Sequence, residues 1–299
     1  MYNGIIIVNK PGGFTSFDVV AKLRGILGQK KIGHTGTLDP DAQGVLPVCL
    51  GNATKVCDML TDSEKEYEAV LLLGVDTDTQ DMTGTVLAQM EVNVSEEQVE
   101  TVIRSFVGEQ MQIPPMYSAL KVNGQKLCDL ARAGKVVERA ARPVSIYEIE
   151  ILKMDLPRVS LRIRCSKGTY IRTLCHDIGS VLGCGGCMER LLRTRAAGFS
   201  LKEAVSLDVL QRAKETGTLQ EWIRSTDSVF LDLPGAMVRP EFDVVLKNGN
   251  PLERTQFQEP EKLPDHGKLR VYDSAQHFQA VYGYEEKRRQ FRPVKMFLE

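Results

Sequence analysis

The sequence predicts an α+β protein: a mixed, largely antiparallel sheet with flanking helices, followed by a small β domain at the carboxyl end. Three observations carry this. Period-two alternation is clean from Arg158 to Cys165, with Val159, Leu161, Ile163 and Cys165 facing one way and Arg158, Ser160, Arg162 and Arg164 the other. Helical periodicity appears elsewhere, as at Val99, Val102, Ile103 and Phe106. Beyond Leu231-Asp232-Leu233-Pro234-Gly235 the chain breaks into short β-like runs.

In order, Gly4–Val8 reads as a buried strand and Pro11-Gly12-Gly13 as a turn. Ser16 is expected to cap a helix bearing Val20, Leu23 and Leu27 and ending at Gly28. Residues 30–51, with glycines 33, 36, 44 and 51 and two prolines, read mostly as structured loop. Tyr67–Gly74 looks like a strand, and Ser95 with Gln98 makes a capping box for the helix that follows. Ile113–Met116 must be extended around its two prolines, and a short helix over 127–133 stops at Gly134. Residues 145–154 and 158–166 form two strands joined at Asp155-Leu156-Pro157. Helices are expected over 171–182 and 188–193, and again after Ser206 and Thr218. In the tail, 244–246, 269–272, 278–282 and 294–298 read as strands. The expected division is a domain over 1–234, with a basic insert at about 115–143, and a small domain over 235–299.

Composition excludes several classes. The 299 residues are 42% hydrophobic and 26% charged, ordinary for a globular protein. The longest aliphatic runs, Ile5–Val8 and Val70–Leu73, fall far short of the roughly twenty residues a membrane span needs. With no basic or apolar leader and seven cysteines, an odd number, a cytoplasmic protein with reduced thiols and no membrane association is expected. The net charge of −1 hides a segregation: residues 58–100 hold twelve acids and one base, residues 158–195 eight bases and two acids. Residues 115–143 are also basic, so local faces suited to nucleic acid remain possible. The arginine face of 158–164 is expected to meet RNA phosphates.

The richest segment for chemistry is Gly33-His34-Thr35-Gly36-Thr37-Leu38-Asp39-Pro40-Asp41-Ala42-Gln43-Gly44. Its glycines allow close backbone approach, Pro40 stiffens Asp39, and His34 and Asp39 are ionisable, although Asp-Pro is also an ordinary turn opener. No G-x-x-x-x-G-K-[ST] or G-x-G-x-x-G between strand and helix is present, so no nucleotide cradle is visible. The run Asp76-x-Asp78-x-Gln80-Asp81 fails as a calcium loop, having Asp81 and Leu87 where Gly and Glu are required. Cys184-Gly185-Gly186-Cys187 with Cys175 and His176 could complete a zinc site, but a single CxxC is weak and no metal is expected. Lys167-Gly168-Thr169-Tyr170-Ile171-Arg172 offers a stacking face in Tyr170 and a guanidinium fork in Arg172.

On these residues the chain resembles the tRNA pseudouridine synthase B (TruB) family. The segments that carry the resemblance are Val8–Gly12 with Thr15-Ser16, Gly33–Gly51, Lys65-Glu66-Tyr67, Ser166–Thr173 and Leu191–Arg193. It continues into a PUA-like tail from about Lys247 to Phe297. The resemblance implies that Asp39 is the catalytic aspartate and Arg172 its partner. It implies that His34, Tyr67, Tyr170 and Leu191 line the uridine pocket. It also implies a pseudouridine-synthase fold with an appended PUA-like β domain, no cofactor, and isomerisation of uridine 55 in the T-loop of tRNA.

That reaction suits the residues. It breaks N1–C1′, turns the base and joins C5 to C1′, with no oxidation and no group lost. One carboxylate can serve as nucleophile at C1′ or C6, or as base at C2′. Tyr67 can stack on the uracil and help move the C5 proton, while His34 can brace the space left by a flipped base. Two rivals remain at this point: a module that only grips tRNA, and a zinc-dependent base-modifying enzyme. A monomer bound to the tRNA T-arm is expected.

Overall fold

Apolar residues at the amino end pair early in the chain and build the first edge of a large sheet. In the computed structural model, which describes residues 1–298, strand β1 (Gly4–Lys10) leads into helix α1 (Ser16–Leu27) and strands β2 (Ile32–His34) and β3 (Gln43–Leu50). Helix α2 (Cys57–Thr61), β4 (Lys65–Leu73) and a small hairpin, β5 (Val75–Thr77) with β6 (Val86–Gln89), follow. Next come α3 (Glu96–Ser105), β7 (Gly108–Gln112), the hairpin β8 (Lys121–Val122) and β9 (Gln125–Lys126), and α4 (Leu127–Arg132). Strands β10 (Arg142–Asp155) and β11 (Arg158–Cys165) precede α5 (Ile171–Leu182), β12 (Gly186–Ala196), β13 (Phe199–Ser200) and α6 (Leu207–Thr216). The tail holds β14 (Gly235–Met237), α7 (Asp243–Lys247), β15 (Lys268–Tyr272), β16 (Phe278–Glu285) and β17 (Gln290–Met296).

The nine-stranded sheet runs β1-β3-β12-β4-β11-β10-β7, with β2 on β3 and β13 on β12. Its pairings are antiparallel except where Leu192 and Arg193 of β12 meet Gln43 and Gly44 of β3 in parallel. Gly44 permits that junction: a Cβ there would stand 2.2 Å from the Arg193 carbonyl oxygen. Helices α3 and α5, the latter through Ile178, cover one end of the sheet over Leu71, Leu161 and Ile163, while α1 and α6 cover β1 and β3. The fold is the expected α+β arrangement with a second, four-stranded sheet β14-β15-β16-β17 at the carboxyl end.

Several elements differ from expectation. Residues 188–193 lie in strand β12, because its adjacent apolar residues Leu191 and Leu192 serve a strand with neighbours on both sides. Residues 43–50 are not loop but a central strand, buried at all but Gln43, so its continuous apolar run shows no alternation to read. The helix cap is Thr15 rather than Ser16, with Asp18 completing a capping box, while Gly28 closes the helix in the left-handed conformation. The segment after Thr218 makes only a 3-10 turn over Leu219–Trp222, and 244–246 is helical within α7. The last residue of the expected tail domain, Glu299, lies outside the described residues.

The second sheet is not packed as an independent bead. Phe278, Val281 and Phe297 share a core with Ile5, Ile7, Val45, Cys49 and Phe230 of the first part of the chain. Phe278 and Phe297 stack at 5.1 Å, and the Phe297 carbonyl accepts from Asn52 Nδ2 at 2.6 Å.

Candidate active site

The loop from Thr35 to Ala42 is held from below by the first strand and helix. Lys10, fully buried, donates from Nζ to the carbonyls of Pro11, Pro40 and Ala42 at 2.8, 2.8 and 2.6 Å. Ser16 Oγ accepts from Leu38 N at 2.9 Å. With Leu38 sunk in the core, Asp39 is presented at the loop's outer edge. The motif containing Lys10 and Ser16 therefore positions the aspartate, a role that nothing local in the sequence announces. Burial pushes the Lys10 ammonium down to about 8, against the pull of Asp41 and Asp39.

Asp39 meets Arg172 of α5, which is 4% exposed. Arg172 Nη2 donates to Asp39 Oδ1 at 3.0 Å, and Nε lies 2.9 Å from Oδ2. The same guanidinium donates to the carbonyls of Thr79 and Tyr117 at 2.9 and 2.8 Å and lies 3.6 Å from Asp81 Oδ2. It thus ties the catalytic-candidate loop to the β5–β6 hairpin and to the start of the basic insert. Burial pushes the Asp39 carboxyl above the usual aspartate value; Arg172 opposes this, and the Asp81 carboxylate reinforces it. A carboxylate so placed is gripped by a guanidinium while it faces the cleft, an arrangement suited to attack or proton abstraction when it is ionised.

Tyr67 lies in the middle of β4, 8% exposed, between Ile163 of β11 and Arg193 of β12. Burial raises its phenol above the usual value, and the Arg193 guanidinium across the β4–β12 pairing opposes that rise. Tyr170 precedes α5, its backbone clamped by Gln112: Tyr170 N donates to Oε1 at 2.8 Å and its carbonyl accepts from Nε2 at 3.0 Å. His34 ends β2, and its Nδ1 accepts from Gly36 N at 3.3 Å. Burial and then Arg193 lower its pKa, favouring the uncharged imidazole. Leu191 packs against the core cluster that contains Tyr67 and Leu38. Asp39 and Leu191 also line a cleft of about 820 Å³ with Asp81, Met82, Glu189 and Leu192. All the residues singled out from the sequence thus converge on one neighbourhood.

Sequence reasoning missed Arg193, Lys10 and Asp81 as parts of this site. Arg193, in the basic segment 158–195, is 1% exposed, donating to Val45 O at 2.7 Å and Gly36 O at 3.3 Å. The expected phosphate-binding stripe is also corrected. Arg162 pairs with Glu68 and Glu150, Arg164 with Glu64 and Glu148, and Arg158 with Glu189. Neighbouring strands supply a carboxylate for each guanidinium, so the stripe is neutralised within the fold. Cys175, Cys184 and Cys187 are buried thiols, and His176 sits between Asp76 and Asp177. Among the described residues no group of His, Cys, Asp and Glu is arranged to hold a metal ion.

Comparison with known proteins agrees with this geometry. A chain in the crystal structure of a Cbf5-Nop10-Gar1 complex superposes with a TM-score of 0.71 at 27% identity, covering 99% of this chain and 85% of that one. A chain in a structure of an H/ACA RNP bound to a substrate RNA containing 2′-deoxyuridine matches with the same score at 25% identity and the same coverage. Residues 24–171 match the model for the TruB family pseudouridylate synthase N-terminal domain, and 172–230 that for the tRNA pseudouridylate synthase B C-terminal domain. Both matches end before the second sheet begins at Gly235. The tRNA pseudouridine synthase B of Lachnoclostridium phytofermentans is 52% identical, covering 99% of this chain and all of that protein. The corresponding protein of Clostridium kluyveri is 42% identical over 99% of this chain and all of its own length.

Fold and site together define a pseudouridine synthase, an isomerase that converts uridine to pseudouridine in tRNA. More particularly, the chain belongs to the TruB family of pseudouridylate synthases.

Proposed function

We propose that the protein isomerises uridine 55 in the T-loop of tRNA, with Asp39 as the catalytic carboxylate. The observation that carries this reading is the Asp39–Arg172 pair at the edge of a cleft, beside the buried Tyr67. The flipped uridine enters between Asp39 and Leu191. Asp39 acts at C1′ or C6 as nucleophile, or at C2′ as base, and the N1–C1′ bond breaks. The detached uracil turns within a pocket walled by Tyr67, Tyr170 and Leu191, so that C5 faces C1′. Arg172 keeps Asp39 ionised and fixes its direction. Tyr67 then accepts the C5 proton, and His34 braces the space that the base vacated.

Binding of the T-arm falls to the basic insert at 115–143 and to the carboxyl-terminal sheet, read as a PUA-like module of the domain 235–299. The protein works as a cytoplasmic monomer without cofactor or metal. Incubation with an unmodified tRNA transcript, followed by mapping of pseudouridine, tests the assignment. Modification at position 55 is expected, and none in a transcript carrying cytidine there. Modification confined to another site would overturn it.

A further inference from the structure

Directly opposite Tyr67 across the β4–β12 pairing stands Arg193. It is among the largest fully buried side chains of the protein. Two of its nitrogens are taken by the carbonyls of Val45 and Gly36, and its cross-strand neighbour is Tyr67. Among the described residues no carboxylate pairs with it, and its charge is left to act on its neighbours. Its seat is closely built: Gly44 lets β3 run against the Arg193 backbone.

The groups facing this pair come from every surrounding element. Tyr67 is faced by Arg193 from β12, Cys165 from β11 and Asp39 from the loop. Arg193 is faced by Lys10 of β1, His34 of β2 and Lys65 of β4. Burial, Asp39 and Cys165 all oppose negative charge on the Tyr67 oxygen, and Arg193 is the group that opposes them. A neutral donor could satisfy two carbonyls equally well. What Arg193 adds over a neutral donor is its charge, and Tyr67 is the buried ionisable group directly opposite it.

We infer that Arg193 is the positioning residue that makes Tyr67 a proton acceptor, by stabilising its phenolate in the dry interior of the sheet. The inference rests on the reading of Tyr67 as acceptor of the C5 proton. After C5 has joined C1′, the C5–H bond breaks and its electron pair becomes the C5–C6 double bond. The C6–N1 double bond opens onto N1, which takes a proton from water. The C5 proton passes to the Tyr67 phenolate, and the resulting phenol returns it to water before the next turnover. Protons balance, and no oxidant or cofactor enters.

The test is the release of tritium from C5-labelled uridine in a tRNA transcript, followed from neutral to alkaline pH. The rate should rise with pH along a limb that is absent in Tyr67→Phe, which separates Tyr67 from Lys10. Arg193→Gln should move that limb up by about one pH unit or more, lowering the neutral rate about tenfold and restoring it in alkali. Arg193→Lys, which keeps the charge but not the fork, should hold the limb near its native place while losing thermal stability. In the Tyr67→Phe background, Arg193→Gln should cost less than about twofold further. An unshifted limb in Arg193→Gln would overturn the inference. So would an equal shift in Arg193→Lys, which also decides the matter if the Gln variant does not fold. A full loss persisting in the Tyr67→Phe background would do the same. Native release by Tyr67→Phe alone would instead remove the reading of Tyr67 on which the inference stands.

Discussion

Arg172 holds Asp39 through two nitrogens, at 3.0 and 2.9 Å, across 133 residues of chain. The pair joins the loop after β2 to the first turn of α5, and Arg172 also carries Asp81, Thr79 and Tyr117. The aspartate is therefore both pinned in direction and electrostatically balanced between a cation and a second carboxylate.

Replacing Asp39 by Asn tests its chemical role. The amide keeps the shape and can still meet Arg172, but it is neither nucleophile nor base. Pseudouridine formation should fall by about 10³-fold or more, while tRNA affinity stays within a few-fold. A variant that retains a tenth of the native rate would remove Asp39 from the chemistry.

The acid side of the pH–rate profile should report the same carboxyl. Burial raises its pKa and Arg172 holds it down, so activity is lost as pH falls through that value and Asp39 takes up a proton. Arg172→Lys cannot grip both oxygens and weakens the restraint. Its acid limb should therefore move to higher pH, with the rate on the falling side dropping about tenfold for each pH unit the limb moves. A limb that stays in place would mean that Arg172 serves only to tie the loops together.

The arginine face of β11 yields the opposite prediction from the one its sequence suggests. Arg162 and Arg164 are engaged by Glu68, Glu150, Glu64 and Glu148. Arg162→Gln with Arg164→Gln should then leave the slope of log affinity against log salt at its native value. A slope reduced by about 0.7 to 0.9 for each arginine would show that RNA phosphates displace those glutamates.

The shared core at the carboxyl-terminal sheet predicts a stability effect rather than a catalytic one. Phe297 is fully buried against Phe230 and Phe278, beside Val45 and Cys49. Phe297→Ala should cost about 3–5 kcal/mol and lower the melting temperature of the whole chain in one transition. The rate per folded molecule should be unchanged. Two separate transitions, with only the later part of the chain affected, would show that the two sheets unfold independently.

Local pattern made much of this protein legible. Alternation along 158–165, the capping box at Ser95, and the left-handed glycine at 28 are decided by neighbours a few residues apart. The candidate site residues Asp39, Arg172, Tyr67, Tyr170, His34 and Leu191 could be singled out because each lies in a distinctive short segment. Strand β3 was not, because a strand covered on both faces loses the period that identifies it, and β12 was not, because register shifts at Met188/Arg190 and Arg193/Arg195 break its alternation.

Charge was misread for a related reason. Sequence reveals that arginines are clustered, but not that Glu68, Glu148, Glu150 and Glu189 arrive beside them from other strands. The fate of Arg193 was decided the same way, by a parallel contact with Gly44 and an antiparallel one with Tyr67, each set by registers between distant segments. Residue types and short motifs determined the chemistry available to this chain. Which charges are neutralised, which are buried alone, and which face the substrate was decided only when strands remote in sequence were paired.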